Sequence, residues 1–451
     1  MSNASRRKFL KSSAAAATAA FAGPAIARAA AGVSDRIRVG LVGLGGRMSS
    51  HVAALAQMPK DVQIVALADC DESRLHDAAQ RYPQLAGMKL ALYTEQRKLF
   101  DDKSVDAVSF ATQDHWHALQ TIWACQAGKD VYVEKPCAHT LWEGRKMVEA
   151  ARKYGRIVQH GTQCRSSPNI IEGIKKLKEG VIGEVYMARG MSYKIRGHLG
   201  KERPRAVPKG LDWDKWVGPS RMVPYSSFYH RRWYWCANFA SGDIANQTVH
   251  NMDIIRWGLG LNTHPSRVQS MGGRFAPAAD DDADTPNTQT LAAQWQGRDL
   301  LVQFEIRHWF TPTEAGMGDQ YPFVDHGSVV GVIFFGTKGY MIFPDYSSYR
   351  VFFGPKREPG PFAHAPGEPM MDLEHFQNWI AAVRSRKPGD LNAEIEQGHL
   401  STAVTHLAKI ACKLGRTVNF DPQSERCLGD EEASALLTKE YRKPYVVPDP
   451  V

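Results

Sequence analysis

Short apolar runs alternate with longer stretches of mixed polarity between residues 35 and 158. The runs Ile37–Val42 and Val62–Ala68 are almost entirely apolar, as expected of strands that are buried on both faces. Further strands are expected at 105–110, 130–133 and 157–158, and helices at 117–127 and 142–154. Repeated strand–helix units predict a parallel, doubly wound sheet, in which ligands bind beyond the carboxyl ends of the strands.

The pattern changes after residue 159. An amphipathic helix at 170–180 precedes expected strands at 184–192, 267–272, 288–295, 300–308, 329–335, 339–343 and 349–353. Their alternation of apolar and polar residues is typical of an antiparallel sheet with one covered face. Two strong helices follow at 371–386 and 394–414, the second with Gly415 as its C-cap. Residues 201–218 show no clear period, and no fold of its own is evident after Pro422.

A glycine turn joins the first strand to the first helix. It contains Gly43, Gly45, Gly46, Arg47 and Met48, and the second strand ends at Asp69. Glycines let the backbone approach a pyrophosphate at a helix N-terminus, and an acid in this place accepts hydrogen bonds from a ribose 2′-hydroxyl. Met48 replaces the third glycine of the fingerprint. We therefore expect these six residues to bind a dinucleotide, with Asp69 favouring NAD and the nearby Arg74 leaving NADP open.

The fold class that follows is α/β. We expect an N-terminal Rossmann dinucleotide-binding domain at residues 35–158 and a C-terminal α+β domain at 159–451 with a large open, mostly antiparallel sheet. A chain of 451 residues is long enough for two domains. Five of the charges behind the net +9 fall within residues 1–31, which contain no acid, so the rest carries +4 and no basic arm. Nucleic acid is therefore not expected as a partner.

Residues 1–31 have the features of an export signal. The run Ser5-Arg6-Arg7-Lys8-Phe9-Leu10-Lys11 precedes an alanine-rich region and then small residues suited to cleavage. It resembles a twin-arginine signal peptide, which predicts the export machinery as a partner and a periplasmic location; the alternative is a disordered basic tail. The apolar part is too short for a permanent membrane anchor. The seven cysteines form no CxxC pair and no zinc spacing, and no metal is expected.

Three motifs lie in order at successive strand ends: the glycine turn, the turn Thr112-Gln113-Asp114-His115-Trp116-His117, and Glu134-Lys135-Pro136. Together they resemble the Gfo/Idh/MocA family of nucleotide-dependent oxidoreductases. The resemblance implies that the second sheet shapes the substrate site and the contacts of a homo-oligomer, a dimer or tetramer, and that the late helices pack back on the nucleotide domain. Cofactor contacts are expected from Thr112, His115, His117, Glu134 and Lys135.

Candidate chemistry outside the nucleotide domain lies in residues 242–253. A single helix there would place Asn246, His250 and Asp253 on one face. His250 suits the base that removes a hydroxyl proton during hydride transfer. The resemblance implies a catalytic role for Lys135, which would polarise the reacting oxygen or act as acid or base. Family members commonly have an aspartate where this chain has Asn246, and Asp243, one turn earlier, is the candidate replacement for its charge.

The aromatic run at 228–235 precedes that stretch. Aromatic rings stack against sugar C–H faces and arginines bind hydroxyls, so we expect substrate contacts from Tyr229, Arg231, Trp233 and Trp235, together with Asn246 and Asp253. The alternative is a core or subunit-interface cluster.

Two functions remain open. The first is an NAD-dependent oxidoreductase that acts on a sugar, glycoside or polyol by hydride transfer to a tightly bound cofactor, since the periplasm offers no free nicotinamide pool. The second is an NAD-dependent glycoside hydrolase that oxidises, eliminates, hydrates and reduces in one redox-neutral cycle. A binding protein without catalysis is disfavoured because Lys135 and His250 occur together.

Overall fold

The first half of the chain alternates strands and helices as its apolar pattern predicts. The computed structural model describes residues 35–275, 280–309, 329–364 and 371–451, so the expected export signal at 1–31 lies outside the described residues. The strands are β1 (Ile37–Val42), β2 (Val62–Ala68), β3 (Ala91–Tyr93), β4 (Ala107–Phe110), β5 (Asp130–Val133) and β6 (Val158–His160). The helices are α1 (Met48–Ala56), α2 (Glu72–His76), α3 (Ala78–Arg81), α4 (Gln96–Asp101), α5 (Asp114–Gln126) and α6 (Leu141–Lys153).

These six strands form one parallel sheet in the order β3-β2-β1-β4-β5-β6. All residues of β4 and β5 are buried, which fits strands covered on both faces. The strand order reverses between β1 and β4, and the crevice at such a point is where doubly wound sheets bind their ligands. The predicted Rossmann sheet is confirmed.

The second half builds a larger sheet. Its strands are β7 (Val185–Tyr193), β8 (Arg267–Gly273), β9 (Thr288–Gln294), β10 (Leu301–Arg307), β11 (Val329–Gly336), β12 (Gly339–Phe343), β13 (Tyr349–Phe353), β14 (Glu358–Ala363), β15 (Val418–Asp421) and β16 (Arg426–Cys427). They pair in the order β14-β13-β12-β11-β7-β10-β9-β8-β15-β16. The neighbours are antiparallel except for β7 and β10, which run parallel. The mostly antiparallel sheet is confirmed.

One face of this sheet is covered, as the alternating pattern predicts. In β10, Val302, Phe304 and Ile306 are fully buried, whereas the residues between them are half-buried. The remaining helices are α7 (Pro168–Lys178), α8 (Trp213–Val217), α9 (Ser227–Arg232), α10 (Asp243–Asn246), α11 (Thr248–Leu259), α12 (Asp372–Ser385), α13 (Ile395–Leu414) and α14 (Glu431–Ala435). Short 3-10 turns lie at Pro83–Leu85, Gln163–Ser166, Trp233–Trp235 and Pro388–Asp390. Helices α7, α11 and α13 supply the apolar side chains on the covered face.

The late helices pack back on the nucleotide domain, as the resemblance implies. Phe376 and Trp379 of α12 are fully buried in one core with residues of β1 and β2. Helix α13 is capped by Gly415, as predicted, and the φ of 64° at this residue is the left-handed conformation that glycine adopts readily. Within the described ranges, no helix combines the length and the apolar character that crossing a membrane requires.

The segment at 242–253 is not one helix. Helix α10 ends at Asn246, and α11 begins at Thr248 after a break at Gln247. The expectation that Asn246 shares a helix face with His250 and Asp253 is therefore wrong.

The part of the chain after Pro422 has more structure than the sequence indicates. It forms β16 and α14, and the residues beyond α14 bury Tyr445, Val447 and Val451 in the core that lies between β4, α5 and α6. The sequence shows no fold of its own for this segment because its order comes from contacts with distant helices rather than from a local pattern.

Candidate active site

A cavity of about 490 Å³ lies at the carboxyl ends of β1, β4 and β5. Its walls come from the glycine turn, the turn after β4, the Glu134-Lys135 pair and the aromatic run. The lining residues used below are Gly43, Gly45, Gly46, Arg47, Asp69, Arg74, Thr112, Asp114, Glu134, Lys135, Trp216, Arg231, Trp233, Asn246 and Tyr445. The cavity therefore joins the predicted cofactor motifs to residues from the second half of the chain.

The glycine turn leaves room for a phosphate group. Gly43 has φ +85°, and a Cβ atom there would lie 2.6 Å from the Thr112 side chain, so both its conformation and its surroundings require glycine. A Cβ atom at Gly46 would meet nothing within 4 Å, and one at Gly45 would meet only the Arg74 guanidinium at 3.5 Å. This open cradle at the start of α1 fits the pyrophosphate of a dinucleotide. Met48 lies in α1, where it is fully buried.

Asp69 closes β2 and faces the cradle. Its carboxylate accepts hydrogen bonds from the backbone N–H groups of Leu44 (2.7 Å) and Asp71 (3.0 Å), and Arg74 lies 4.0 Å away. Burial raises the pKa of Asp69 above its usual value, while Arg74 and the two N–H groups oppose that shift. The carboxylate holds the turn in place at the position where an NAD ribose is expected.

Glu134 and Arg47 form an ionic network in the wall of the cavity. The Glu134 carboxylate accepts from Arg47 Nε (2.8 Å) and Gln163 Nε2 (3.0 Å), and it lies 3.1 Å from His51 Nε2. Arg47 also forms an ion pair with Asp372 at the start of α12. Burial would raise the pKa of Glu134, but these partners hold it well below the usual range. Arg47 thus connects the glycine turn to α12 and also lines the cavity.

Lys135 lies on the cavity wall with its ammonium bound to Asn246. Its Nζ donates to the Asn246 side-chain oxygen (2.6 Å) and to the Asn246 carbonyl (3.0 Å). Burial lowers the pKa of Lys135, which brings the neutral amine closer to physiological pH. The residue that replaces the family aspartate is therefore the hydrogen-bond partner of the candidate catalytic lysine.

Asp243 places its negative charge beside Asn246, which in turn contacts Lys135. Its carboxylate accepts from the Asn246 amide at 3.4 Å, lies 2.9 Å from His308 Nε2 and pairs with Arg196 at 3.4 Å. Burial alone would raise the pKa of Asp243, but His308 and Arg196 have the larger effect and lower it to about 2. Asp243 therefore stays ionised and orients Asn246, and it is not among the residues that line the cavity.

His250 lies deeper, on α11. Its side chain is 2% exposed, its ring is 5.1 Å from the Tyr346 ring, and its Nδ1 has no hydrogen-bond partner among the described residues. Burial lowers the pKa of His250 well below its usual value, and the charge of Lys135 adds to that effect. The lowered pKa keeps the imidazole neutral and disfavours its protonation, and His250 is not among the cavity-lining residues. Its catalytic role stays a prediction.

The turn after β4 is held by its histidines. His115 has its ring nitrogens 3.2 and 3.1 Å from the carbonyls of Phe239 and Trp216, and His117 has its nitrogens 2.7 and 3.1 Å from those of Pro136 and Thr112. Both rings are about 1% exposed. Thr112 lines the cavity, whereas the two histidines fix the loops around it.

The aromatic run divides between cavity and core. Arg231 and Trp233 line the cavity, and Arg231 also pairs with Glu202 at 3.3 Å. Trp235 is 1% exposed, with its ring 4.9 Å from that of His308. Tyr229 packs against the same aromatic cluster. The substrate role predicted for the run therefore has direct geometric support at two of its four residues.

Asp253 forms a buried ion pair outside the cavity lining. Its carboxylate accepts two hydrogen bonds from the Arg165 guanidinium (2.6 and 2.9 Å) and one from Ser401 (2.8 Å). This buried pair joins α11 to the turn at Gln163–Ser166, away from the cavity lining.

Of the lining residues named above, the sequence does not single out three, which are Asp114, Trp216 and Tyr445. Asp114 belongs to an identified motif, in which the expected cofactor contacts are Thr112, His115 and His117. Trp216 and Tyr445 lie in segments without a clear period. Only the abundance of tryptophan and proline near Trp216 gave a signal there.

One side-chain group among the described residues has ligand atoms close enough for a metal ion, formed by His264, His399 and Glu425. The same Glu425 oxygen lies 2.8 and 3.0 Å from the two histidines and accepts from Arg145 at 2.5 Å. The Arg145 guanidinium therefore already supplies a positive charge to this carboxylate.

Two family models match the chain. One is described as an oxidoreductase family with an NAD-binding Rossmann fold and matches residues 37–162; the other, its C-terminal alpha/beta domain, matches residues 364–447. Among curated proteins, the inositol 2-dehydrogenase of Acidothermus cellulolyticus is 27% identical over 60% of this chain and 67% of its own length. That of Salmonella typhimurium is 28% identical over 39% of this chain and 51% of its own. The alignments thus span about half to two thirds of these relatives.

Solved structures share the fold. The WlbA dehydrogenase from Bordetella pertussis, in complex with NADH and UDP-GlcNAcA, aligns with a TM-score of 0.63 and 19% identity over 86% of this chain and 99% of its own. A levoglucosan dehydrogenase, in complex with NADH and levoglucosan, gives a TM-score of 0.63 and 18% identity over 85% and 99%. Residues 37–162 and 364–447 thus match the NAD-binding Rossmann domain and the C-terminal domain of the Gfo/Idh/MocA oxidoreductase family.

Proposed function

We propose that this protein is an NAD-dependent oxidoreductase that oxidises a secondary hydroxyl group of a sugar, glycoside or polyol. The observation that carries the proposal is Lys135, whose Nζ lies on the wall of the cavity and is oriented by Asn246. The relatives support the substrate class, since they include inositol dehydrogenases and a dehydrogenase solved with levoglucosan.

The cradle around Gly43 and Gly46 and the carboxylate of Asp69 are the residues that would hold NAD. When bound, NAD supplies the hydride acceptor. The chain supplies the proton acceptor, because the lowered pKa of Lys135 makes its neutral amine available to take the hydroxyl proton at Nζ. Asn246, oriented by Asp243, holds that amine in one position.

We propose further that the cofactor stays bound between turnovers. Trp216, Arg231 and Trp233 belong to the irregular segment and aromatic run, and they line the same cavity as the glycine turn. These side chains would cover a bound nucleotide and slow its release. Retention would let the protein work where no free nicotinamide pool exists.

The first experiment is to purify the protein without added nucleotide, denature it and identify what is released. The native protein is then offered a panel of sugars, polyols and aryl glycosides while reduced nicotinamide absorbance is followed. We expect bound NAD(H) that a sugar or polyol reduces and a keto-sugar reoxidises. Absence of nucleotide, combined with no binding when NAD is added, would refute the proposal.

The Lys135→Met variant tests the residue assignment. It should retain the nucleotide and reduce it roughly 10²–10⁴-fold more slowly, the usual range for loss of a general base. Lys175→Met is the matched control. Lys175 is an exposed lysine of α7 that forms an ion pair with Glu179 at 3.9 Å.

In the first experiment, release of aryl alcohol from an aryl glycoside without a lasting absorbance change would instead favour the redox-neutral glycoside hydrolase.

We also propose that the protein is exported through the twin-arginine pathway to the periplasm and forms a dimer or tetramer there. The support for export is the run at 5–11. Replacing Arg6 and Arg7 by lysine should leave the protein in the cytoplasm on cell fractionation, and unchanged export would contradict the assignment. Light scattering of the purified protein gives its mass, and a monomer would contradict the oligomer.

A further inference from the structure

A second cavity, of about 510 Å³, is separate from the cavity at the glycine turn. Ser241 and Ile244, just before and within α10, line one side of it, Lys409 and Lys413 of α13 line another, and Lys439 after α14 lines a third. None of its described lining residues also lines the first cavity. Its volume is in the range of small-molecule binding sites, and the proposed function assigns it no role.

The wall of the second cavity has more positive than negative side chains. The basic ones are Arg221, Lys409, Lys413 and Lys439, and the acidic ones are Asp284 and Glu440. Lys439 has a carboxylate partner outside the wall, since its Nζ lies 3.2 Å from Glu143. Lys409 and Lys413 form no ion pair with any described residue. The wall therefore carries positive charge that the described chain does not neutralise.

The two acids of the wall do not supply the missing charge. Asp284 accepts a hydrogen bond from the backbone N–H of Ala237 at 2.6 Å, and Glu440 is exposed on the rim. Neither of them pairs with a lysine of the wall within the described ranges. The excess of positive charge is therefore a property of the cavity that solvent or a ligand has to balance.

Lys409 presents an ammonium group whose partners are neutral. Its Nζ donates to Ser241 Oγ at 3.0 Å and to the His139 carbonyl at 3.4 Å. Lys413 follows one turn later on the same face of α13, and like charges at this spacing repel each other. Burial lowers the pKa of Lys409 to about 8, and the charges of Lys439 and Lys413 act in the same direction. An anion in the cavity would relieve this repulsion.

Gln289 adds an acceptor without a donor. Its side chain lines the cavity and is 1% exposed. Its amide nitrogen donates to Ser270 Oγ at 2.9 Å and to the Ala408 carbonyl at 3.5 Å, which fixes the orientation of the amide. Its Oε1 has no hydrogen-bond partner among the described residues. Because buried acceptors in folded proteins normally have a donor, a hydroxyl group of a ligand is a suitable partner.

We propose that the second cavity binds a small hydroxylated molecule that carries an oxyanion, as a sugar phosphate or a sugar acid does. The oxyanion would bind the ammonium groups of Lys409 and Lys413, and a hydroxyl group would donate to Gln289 Oε1. Ile244 and Ile410 provide apolar wall for the carbon skeleton. A bare inorganic ion would leave most of the volume empty and the Gln289 acceptor without a donor.

The test is isothermal titration calorimetry of the full-length protein in a low-salt buffer that contains no polyanion. The titrants are glucose 6-phosphate, gluconate, inorganic phosphate and, as the neutral reference, glucose. We expect at least one of the two hydroxylated anions to bind one site per chain, about tenfold or more tightly than glucose and inorganic phosphate. Binding of glucose 6-phosphate alone assigns a phosphate group to the ligand, and binding of gluconate alone assigns a carboxylate.

Charge variants locate the site. Lys409→Met and Lys413→Met should each weaken binding of that anion about tenfold or more, and Lys409→Arg, which keeps the charge, should retain most of the affinity. Lys413 is exposed, so its replacement should leave urea unfolding unchanged even if Lys409→Met fails to fold. Lys175→Met is the matched control and should bind as the native protein does, because Lys175 is an exposed lysine of α7 outside the cavity.

Three results would overturn the proposal. They are native affinity for the anion in Lys413→Met, binding of glucose as tight as that of both anions, and binding of inorganic phosphate as tight as that of the hydroxylated anions. Added NaCl should weaken the interaction, because it screens the charges of the lysines. Since the two cavities share no described lining residue, each of these results leaves the proposed oxidoreductase unaffected.

Discussion

Asn246 contacts the candidate catalytic lysine at the position where the family resemblance implies an aspartate. Its side-chain oxygen accepts from Lys135 Nζ, while its amide donates to Asp243. An aspartate in the same place would put a negative charge in direct contact with the lysine. The Asn246 amide instead orients the lysine without placing a negative charge against it. The carboxylate of Asp243 lies one turn away, where it orients the amide.

The variant Asn246→Asp tests this arrangement. A carboxylate beside Lys135 stabilises the ammonium and raises its pKa, so less neutral amine is present at a given pH. We expect the acidic limb of the kcat/KM profile to move to higher pH by about one to three pH units. The measurement is a pH series with the native sugar substrate.

Asn246→Leu is the control with the opposite sign. It removes an acceptor from the ammonium, so the pKa of Lys135 should fall and the acidic limb should move to lower pH. Movement of both variants in the same direction would contradict the assignment of Lys135 as the proton acceptor.

At the scale of the elements, the turn between β1 and α1 needs its glycines for two reasons. Gly43 is needed for the fold, and Gly46 leaves room for the cofactor phosphate. Gly43→Ala places a side chain at φ +85° and 2.6 Å from Thr112, which costs about 1–2 kcal/mol for the backbone and more for the contact. Gly46→Ala meets no atom, so the free energy of unfolding should change by less than about 1 kcal/mol. Its methyl group would nevertheless enter the phosphate cradle.

We therefore expect Gly46→Ala to lose NAD affinity by at least tenfold with its stability kept, and Gly43→Ala to lose both. Isothermal titration of the nucleotide-free protein and urea unfolding measure the two quantities. Equal NAD affinity in Gly46→Ala and the native protein would place the pyrophosphate elsewhere.

Helix α11 is fixed to the rest of the molecule by a buried ion pair. Asp253→Asn leaves the Arg165 guanidinium without its carboxylate, and breaking such a pair costs about 3–5 kcal/mol. The folded-state pKa of Asp253 lies below its usual value, so its contribution is complete above pH 4 and is lost as pH falls through the folded-state pKa. Urea unfolding at pH 7 measures the cost.

Glu179→Gln is the matched control on an exposed pair. Lys175 and Glu179 are 3.9 Å apart and largely exposed, so the change should cost less than about 0.5 kcal/mol. A loss in Asp253→Asn no larger than in this control would show that the Arg165 pair contributes little.

The elements themselves were predictable to different extents. Buried strands such as β5 and long amphipathic helices such as α13 follow from local periodicity, and their observed bounds differ from the expected ones by one residue or none. The break at Gln247 has no such local signal, because the residues on both sides of it have the pattern of a helix. The Gln247 side chain accepts a hydrogen bond from Lys194 and donates one to Tyr346, and both partners are remote in sequence.

At the scale of the whole molecule, the cavity is assembled from parts of the chain that are far apart. The glycine turn and the motifs at the ends of β4 and β5 were found from sequence, because each has a local pattern with a chemical reason. Trp216 and Tyr445 were not, because only the packing of remote segments brings them to the same wall. Asp114 was not predicted for another reason: its neighbours in sequence do not reveal that it is buried in the wall of the cavity.

Tyr445 is where this long-range assembly can be tested. Its ring packs edge-on against Trp116 at 5.3 Å, and its hydroxyl donates to Asp214 at 3.1 Å. Tyr445→Ala should lower the free energy of unfolding by about 3–5 kcal/mol, as for other large buried rings, and speed release of the bound nucleotide. Nucleotide release is measured by dilution into an excess of an NAD analogue.

Tyr445→Phe separates the ring from the hydroxyl. It keeps the packing and loses one hydrogen bond, at a cost of about 0.5–1.5 kcal/mol, and should release nucleotide at the native rate. Rapid release from this variant would mean that the bond to Asp214, rather than the ring, closes the cavity.

The late position of Tyr445 in the chain has a consequence for biosynthesis. A ribosome makes the glycine turn long before it makes this tyrosine, so the nascent Rossmann domain emerges with one wall of its nucleotide cavity missing. The cofactor would be captured firmly only after Tyr445 has been made and has packed in place. Loading and completion of the fold then become a single late event, which gives the cell one point at which to distinguish a finished molecule from a truncated one.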